Sequence, residues 1–146
     1  MNVFCPPNFE RLIVKVMESL GYTGPYGAGI RTQQSNDGGI DGVITQDRLG
    51  LDRILPQAKK WTDKVSQPEV QKFLGALQTQ GATKGVFITT SEFTAGAQSA
   101  VEKLLTRVVL IGGTELAALM FDHGVGVDIE ATYALKRLDQ DFFDEV

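Results

Sequence analysis

The sequence predicts a single α/β domain in which a mixed β-sheet is flanked by helices. Its 146 residues are about the size of one domain. Hydrophobic residues make up 42% of the chain and charged residues 22%, which is close to the globular average. Segments with the 3.6-residue period of amphipathic helices alternate with short apolar strands in the order α, β, β, β, α, β, α, β, α. This order is typical of a mixed sheet covered by helices.

The first predicted element is a helix over residues 9–20, where apolar residues recur every three or four positions. We expect Asn8 to cap its start and Gly21 to close it in the left-handed conformation. Strand candidates follow at residues 30–33, which is the weakest, 40–45 and 54–61. The polar residues 46–53 would form the tip of a hairpin between the last two.

The second helix has the clearest start signal in the chain. Ser66 and Glu69 match the S-x-x-E capping box, and Val65 and Val70 match the hydrophobic staple that accompanies it. Gly81 is expected to end this helix.

Two buried strands and two helices are predicted in the remaining part of the core. The strands cover residues 85–90 and 108–111. Thr94 is expected to cap a helix that runs to about residue 105. Thr114 is expected to cap a last helix that stops near His123.

Several protein classes are excluded by composition. The single cysteine, Cys5, excludes an internal disulfide and a cysteine cluster for zinc. The longest aliphatic run, residues 108–111, is far shorter than the ~20 residues that span a bilayer. The chain begins without a charged and apolar leader. We therefore expect a cytoplasmic protein with no membrane contact.

Charge is distributed unevenly along the chain, whose net charge is −4. Residues 115–146 carry −6, whereas residues 48–84 carry +4. Because screening shortens the range of these fields, a local basic patch matters more to a phosphate than the total charge does. An ordinary solvated surface explains the pattern equally well. We divide the single domain, 1–146, into a core of about 8–127 and an acidic extension, 128–146.

Asp41, Gln57 and Lys59 form the first candidate site. Asp41 begins an apolar strand after two glycines, and Gln57 and Lys59 share one face of the next predicted strand. If the two strands pair as a hairpin, the three side chains converge. A carboxylate, an amide oxygen and a lysine would suit a hard metal ion beside an activated water. The alternative is a turn aspartate and a strand edge protected by lysines.

Glu10 is the second candidate. On a helical wheel it falls within the apolar arc of the first helix, between Met17 and Val14. A carboxylate on a buried face needs a partner. The alternative is that Glu10, in the first turn, complements the helix dipole and reaches solvent.

The pattern Asp41…Gln57-Ala58-Lys59 resembles the D…(D/E/Q)-x-K signature of the PD-(D/E)xK nuclease superfamily. Seven blocks between about residues 9 and 127 resemble, in the same order, the catalytic domain of Mrr-type restriction endonucleases. The blocks are Phe9-Glu10, Leu20-Gly21-Tyr22, Asp37-Gly38-Gly39-Ile40-Asp41-Gly42, Leu49-Gly50-Leu51, Gln57-Ala58-Lys59, Gly85-Val86-Phe87-Ile88-Thr89-Thr90-Ser91 and Phe93-Thr94.

This resemblance implies an αβββαβ restriction-endonuclease-like core and a DNA endonuclease of a modification-dependent restriction system that uses Mg²⁺, with Mn²⁺ as the alternative ion. Asp41 would be the central metal ligand, Gln57 the second ligand and the Ala58 carbonyl a third oxygen. Lys59 would position or deprotonate the attacking water and neutralise the phosphate. Glu10 would complete the metal shell. A double-strand break would need two such sites, as in a homodimer.

Basic and hydroxyl side chains would hold DNA in this interpretation; they are Lys60, Lys64, Lys72, Lys84 and Ser91. The alternative for the lysines is a solvated face, and the alternative for Ser91 is a turn. Pro56 inside a predicted strand and the uncharged Gln57 depart from the superfamily pattern. They leave open a non-catalytic DNA-binding or assembly module, or a structure-selective resolvase-like nuclease. Mrr-type enzymes usually carry an N-terminal DNA-recognition domain, and we expect none in this chain.

Overall fold

The computed structural model describes residues 6–22, 31–34, 40–45, 51–104 and 107–145. The predicted hairpin tip lies largely outside them, as do Cys5 and the two glycines before the second strand. Helices and strands alternate along the described chain. They are α1 (Pro6–Ser19), β1 (Arg31–Gln34), β2 (Ile40–Thr45), β3 (Arg53–Lys59), α2 (Gln67–Thr79), β4 (Lys84–Thr89), α3 (Ala95–Glu102), β5 (Arg107–Ile111), α4 (Gly113–Asp122) and α5 (Gln140–Asp144).

The strands form one mixed sheet in the order β1-β2-β3-β4-β5. β2 is antiparallel to both of its neighbours, β1 and β3, and β3, β4 and β5 are parallel. This arrangement confirms the predicted fold class, and the strand bounds lie within two residues of those expected. β3 is the central strand, and Pro56 lies inside it opposite Val86, so the strand continues in register through the proline.

Two hydrophobic cores cover the two faces of the sheet. The first core joins α1 and α4 to the sheet through residues such as Phe9, Ile13 and Leu116. The second core joins α2 and α3 to the other face through residues such as Phe73 and Ala97. Side chains of β3 contribute to both cores, because successive side chains of a strand point to opposite faces of the sheet.

α1 begins three residues earlier than the sequence predicts, at Pro6. Proline is well tolerated in a first helical turn because the amide hydrogen it lacks would have no partner there. Asn8 therefore lies inside the helix, and the prediction that it caps the helix is wrong. Gly21 closes the helix with a φ of +89°, as predicted. The amides of Gly21 and Tyr22 donate to the carbonyls of Glu18 and Met17, which satisfies the last turn.

The other capping predictions have mixed outcomes. Thr94 accepts a hydrogen bond from the Ala97 amide at 3.2 Å and caps α3 as expected, although α3 ends at Glu102 rather than near residue 105. Gly81 follows α2 with a φ of +64°. The capping box is wrong, because the Ser66 side chain makes no cap hydrogen bond.

The predicted Thr114 cap is also wrong, since the N-cap of α4 is Gly112. Thr114 lies within the first turn, where its amide and hydroxyl both donate to Glu92 Oε1 at 2.9 Å. A carboxylate from the loop after β4 thus supplies the acceptor that was expected from the helix's own threonine. The helix ends as predicted, with His123 at its C-cap and Gly124 at a φ of +65°.

The chain beyond α4 leaves the core. Residues 127–145 are exposed throughout and contain only α5 as regular structure. Among the described helices, none combines the length and apolar character that crossing a bilayer requires.

Candidate active site

The end of β3 presents Gln57 and Lys59 on the α2 face of the sheet. Ala58, between them, is buried in the first core, on the opposite face. Leu55, two positions earlier, is buried in the second core. Gln57 and Lys59 are half-buried and line a cleft of about 180 Å³ between β3 and α2. The cleft is lined by Leu55, Pro56, Gln57, Lys59, Glu69, Lys72, Phe73, Ala76 and Gln80.

Asp41 lies on β2, the strand next to β3. The antiparallel register places Ile44 opposite Ile54 and Thr45 opposite Arg53. If this register continued for three more residues along each strand, it would bring Asp41 level with Gln57. The position of the Asp41 carboxylate lies outside what the structure describes.

Glu10 lies on α1, which packs on the face to which Ala58 points. Its helix is therefore on the opposite side of the sheet from the cleft. The Glu10 side chain is outside the described part, so its place in the metal shell stays a prediction.

Lys59 is held by two neighbours. Its Nζ lies 3.2 Å from Glu69 Oε2 and 5.1 Å from the centroid of the Trp61 ring. The side chains of Lys59 and Glu69 are 19% and 17% exposed. This partly buried pair is screened less by salt than a fully exposed one.

Glu69 is the residue of this cleft that sequence reasoning assigned to the wrong role. Its carboxylate does not close a capping box but bridges two lysines, with Lys72 Nζ 3.0 Å from Oε1. The hydrogen bond from Lys72, followed by the hydrogen bond and charge of Lys59, lowers the pKa of Glu69 against an opposing effect of desolvation. The carboxylate is therefore ionised at neutral pH.

A helical wheel could have found Glu69. It shares a stripe of α2 with Phe73, Ala76 and Gln80, at the spacing of one helix face, and all four line the cleft. The same construction singles out Glu10 on α1. The contact of Glu69 with Lys59 was not predicted, because the S-x-x-E pattern already explained a glutamate at that position as part of a capping box.

The predicted DNA-binding lysines do not lie in one place. Lys60 and Lys64 are exposed in the loop that follows β3. Lys72 is 75% exposed at the rim. Lys84, by contrast, begins β4 and pairs with Asp52 at 2.8 Å. It lies five strand residues, roughly 16 Å, from the level of Lys59, at the other end of the sheet.

Ser91 and Trp61 lie near the carboxyl ends of the parallel strands. Ser91 follows β4, and its amide donates to Thr89 Oγ1 at 3.1 Å. The Trp61 amide donates to Thr90 Oγ1 at 3.2 Å, and the same hydroxyl donates to the Trp61 carbonyl at 3.2 Å. The Trp61 ring packs against the second core. These contacts tie the loop after β3 to the end of β4, at the same edge of the sheet as Lys59.

Among the side chains that the structure describes, no three histidines, cysteines, aspartates or glutamates come together as a metal centre. The two carboxylates expected to hold a metal, those of Asp41 and Glu10, lie outside that part of the chain. The part of the site that the structure describes therefore consists of Gln57, Lys59 and Glu69, which binds Lys59.

A mixed sheet flanked by helices on both faces is the arrangement that this chain shares with restriction endonucleases of nuclease fold. A family model described as a restriction endonuclease, Mrr_cat, matches residues 2–120. The chain belongs to this family.

Individual relatives agree with this assignment. The chain is 42% identical over 139 residues to the type IV methyl-directed restriction enzyme EcoKMrr of Escherichia coli (strain K12), covering 95% of this chain and 45% of that enzyme. It thus spans less than half of the curated relative it matches. Among solved structures, the DNA modification-dependent restriction endonuclease AspBHI superposes with a TM-score of 0.62 at 20% identity, covering 82% of this chain and 32% of that one. The MspJI restriction endonuclease in complex with a 27-mer oligonucleotide superposes with a TM-score of 0.57 at 30% identity, covering 77% of this chain and 27% of that one.

Proposed function

We propose that this chain is the catalytic domain of a modification-dependent restriction endonuclease and cuts DNA by metal-dependent hydrolysis of a phosphodiester bond. The observation that carries the proposal is the placement of Gln57 and Lys59 together in one cleft, and the neighbouring strand carries Asp41, which a continued register would bring level with Gln57. Residues level with each other on paired strands share a face of the sheet and lie close together. The family membership supports the same reaction.

Oxygen donors dominate the proposed metal site. The Asp41 carboxylate, the Gln57 amide oxygen and the Ala58 carbonyl are hard ligands of the kind that Mg²⁺ accepts while keeping several waters. Members of this family generally use divalent metal ions, and we propose Mg²⁺, with Mn²⁺ as the alternative. The bound ion would polarise the phosphoryl oxygen and make a coordinated water more acidic. Glu10 is retained as a weaker candidate ligand, because α1 packs on the face of the sheet opposite the cleft.

Lys59 would act on the reacting phosphate. An ammonium group offers three donors, so it can hold the attacking water and a phosphate oxygen together. Lys72, which lines the cleft, and Lys60 and Lys64, which are exposed in the loop after β3, would follow the DNA backbone on either side of the scissile bond. Lys84 and Ser91 are retained as weaker candidates for DNA contact, Lys84 because it lies at the far end of the sheet.

The wider biological setting also belongs to this proposal. One site of this kind cuts one strand, so we propose that two copies act together as a homodimer to break both strands. We propose that the protein works in the cytoplasm on DNA whose modification is read outside this domain.

Nicking of supercoiled plasmid in the presence of Mg²⁺ tests the proposal. The wild-type chain should convert supercoiled to open-circular DNA, whereas Asp41→Ala and Lys59→Ala should slow the reaction at least about 100-fold, because each removes a group that acts on the phosphate. Lys103→Ala, at the exposed end of α3, is the matched control for loss of one positive charge and should nick at the wild-type rate.

Equal nicking by the wild-type chain and both site variants would reject the assignment of the site. A wild-type chain that nicks nothing with Mg²⁺ or Mn²⁺, yet retains DNA in EDTA, would instead indicate a non-catalytic DNA-binding module.

A further inference from the structure

The contact between Lys59 and Glu69 has properties expected of an oriented pair rather than a chance surface contact. Both side chains are less than one-fifth exposed, and Nζ lies 3.2 Å from Oε2. The two residues come from different elements, β3 and α2, so the pair also joins strand and helix across the cleft.

The second oxygen of the same carboxylate is also engaged. Lys72 lies one helical turn after Glu69 and binds Oε1 at 3.0 Å. With Oε1 held from the solvent side, the carboxylate plane cannot rotate freely, and Oε2 is directed toward Lys59. Lys72 is 75% exposed, so it stays accessible to solvent while it holds the carboxylate.

A lysine in a catalytic cleft needs such a restraint. Its flexible four-carbon stem has many rotamers, so an unrestrained ammonium group samples many positions. The Trp61 ring, 5.1 Å from Nζ, restrains Lys59 from one side. Glu69 supplies the directional contact that the ring cannot supply.

We propose that Glu69 is a positioning residue, which holds the Lys59 ammonium group in the place from which it acts during DNA cleavage. This inference rests on the proposed function and deepens it by adding a residue of α2 to the machinery. Glu69 itself does not touch the DNA or the metal in this proposal.

The proposal separates cleavage rate from DNA affinity. Glu69 is an anion beside a site for a polyanion, so its removal relieves repulsion. A variant that only weakened binding or folding would lose affinity and rate together. A variant that frees Lys59 should lose rate while its DNA affinity is unchanged or improved.

The test compares Glu69→Gln with the wild-type chain and with Glu102→Gln, an exposed glutamate at the end of α3 that loses the same charge. Single-turnover plasmid nicking should fall at least about tenfold in Glu69→Gln at saturating protein, with the dissociation constant for a DNA duplex unchanged or lower. Glu69→Asp should recover part of the rate. A rate equal to wild type, or a fall explained by weaker DNA binding, would overturn the proposal.

Two measurements that do not depend on cleavage complete the test. The ¹⁵N-labelled ammonium group of Lys59, assigned with Lys59→Arg, should give an exchange-protected signal in the wild type and lose it in Glu69→Gln. The same signal in both proteins would overturn the proposal even if the wild-type chain cut no DNA. Mg²⁺ titration by calorimetry should give the same affinity for both, since a loss of fivefold or more would make Glu69 a ligand instead.

A failure of the proposed function has a different signature. In that case the wild-type chain and Asp41→Ala nick equally or not at all. In the cleavage assay, failure of the positioning role alone appears as active wild-type protein, inactive Asp41→Ala and a Glu69→Gln variant that nicks at the wild-type rate.

Discussion

In the proposed metal site, position 57 would decide how much negative charge faces the ion. The superfamily that this chain resembles accepts aspartate, glutamate or glutamine there, and this chain has Gln57, which lines the cleft. An amide oxygen is a good ligand for a hard cation, but it brings no charge. The proposed site therefore depends on Asp41, with Glu10 as a partial replacement for the missing carboxylate.

Gln57→Glu should tighten Mg²⁺ binding. A full negative charge about 4 Å from a cation is worth on the order of several kcal/mol at an effective dielectric constant of ~20, before the cost of desolvation is subtracted. We expect the dissociation constant measured by calorimetry to fall at least about tenfold. Gln98→Glu, on the exposed side of α3, is the control for the added charge. Tightening of less than twofold at position 57 would contradict the proposed ligand role.

Helix α2, which lines one side of the cleft, packs closely against β4. Gly85 lies where the helix crosses the strand, and a Cβ atom there would come within 2.8 Å of Phe73 Cζ and 3.0 Å of Leu77 Cδ1. Phe73 also packs on Phe87, with 5.1 Å between ring centroids. Because Gly85 has no side chain, α2, the helix that carries Glu69, can pack closely against β4.

Two glycine substitutions should have opposite effects on stability. Gly85→Ala should lower the free energy of unfolding by about 1–3 kcal/mol, because the Phe73 ring must move out of a packed core. Gly75→Ala, in the middle of α2 with nothing within 4 Å of its would-be Cβ, should raise it by about 0.5–1 kcal/mol through helix propensity. Urea unfolding followed by circular dichroism measures both. A stabilised Gly85→Ala would show that the contact is loose.

At the scale of the whole molecule, the core ends near Val125, the last residue that packs against the first core. Beyond it the chain runs exposed through residue 145 and displays large apolar side chains to solvent. These are Val127, Ile129, Tyr133, Leu135, Leu138, Phe142 and Phe143. The segment contributes surface, and not core, to this domain.

Removal of residues 127–146 should therefore leave the stability of the domain almost unchanged. We expect the free energy of unfolding to change by less than about 0.5 kcal/mol, because no member of either core cluster is lost. The truncated chain should also self-associate less at high concentration, since exposed apolar patches drive association. Thermal melting and light scattering measure the two effects. A drop of several degrees in the melting temperature would show that the segment packs on the core.

Much of the architecture could be predicted from local patterns. Helix and strand order follows from periodicities of 3.6 and 2, which reflect which face of each element is buried. Gly21, Gly81 and Gly124 could be recognised as helix ends because positive φ strongly favours glycine. The Gln-x-Lys pair could be placed on one strand face because alternation along a strand is a local property.

Local patterns failed where a partner comes from another element. Glu69 reads as a capping residue until β3 places Lys59 3.2 Å from it. Thr114 reads as an N-cap until Glu92, 22 residues earlier, supplies the carboxylate. Spacing along the chain therefore determined the order of elements, their faces and the Gln-x-Lys motif by itself. Only the tertiary structure decided which side chains pair across the cleft, because a contact between distant residues depends on how the elements pack, and several packings are compatible with the same local pattern.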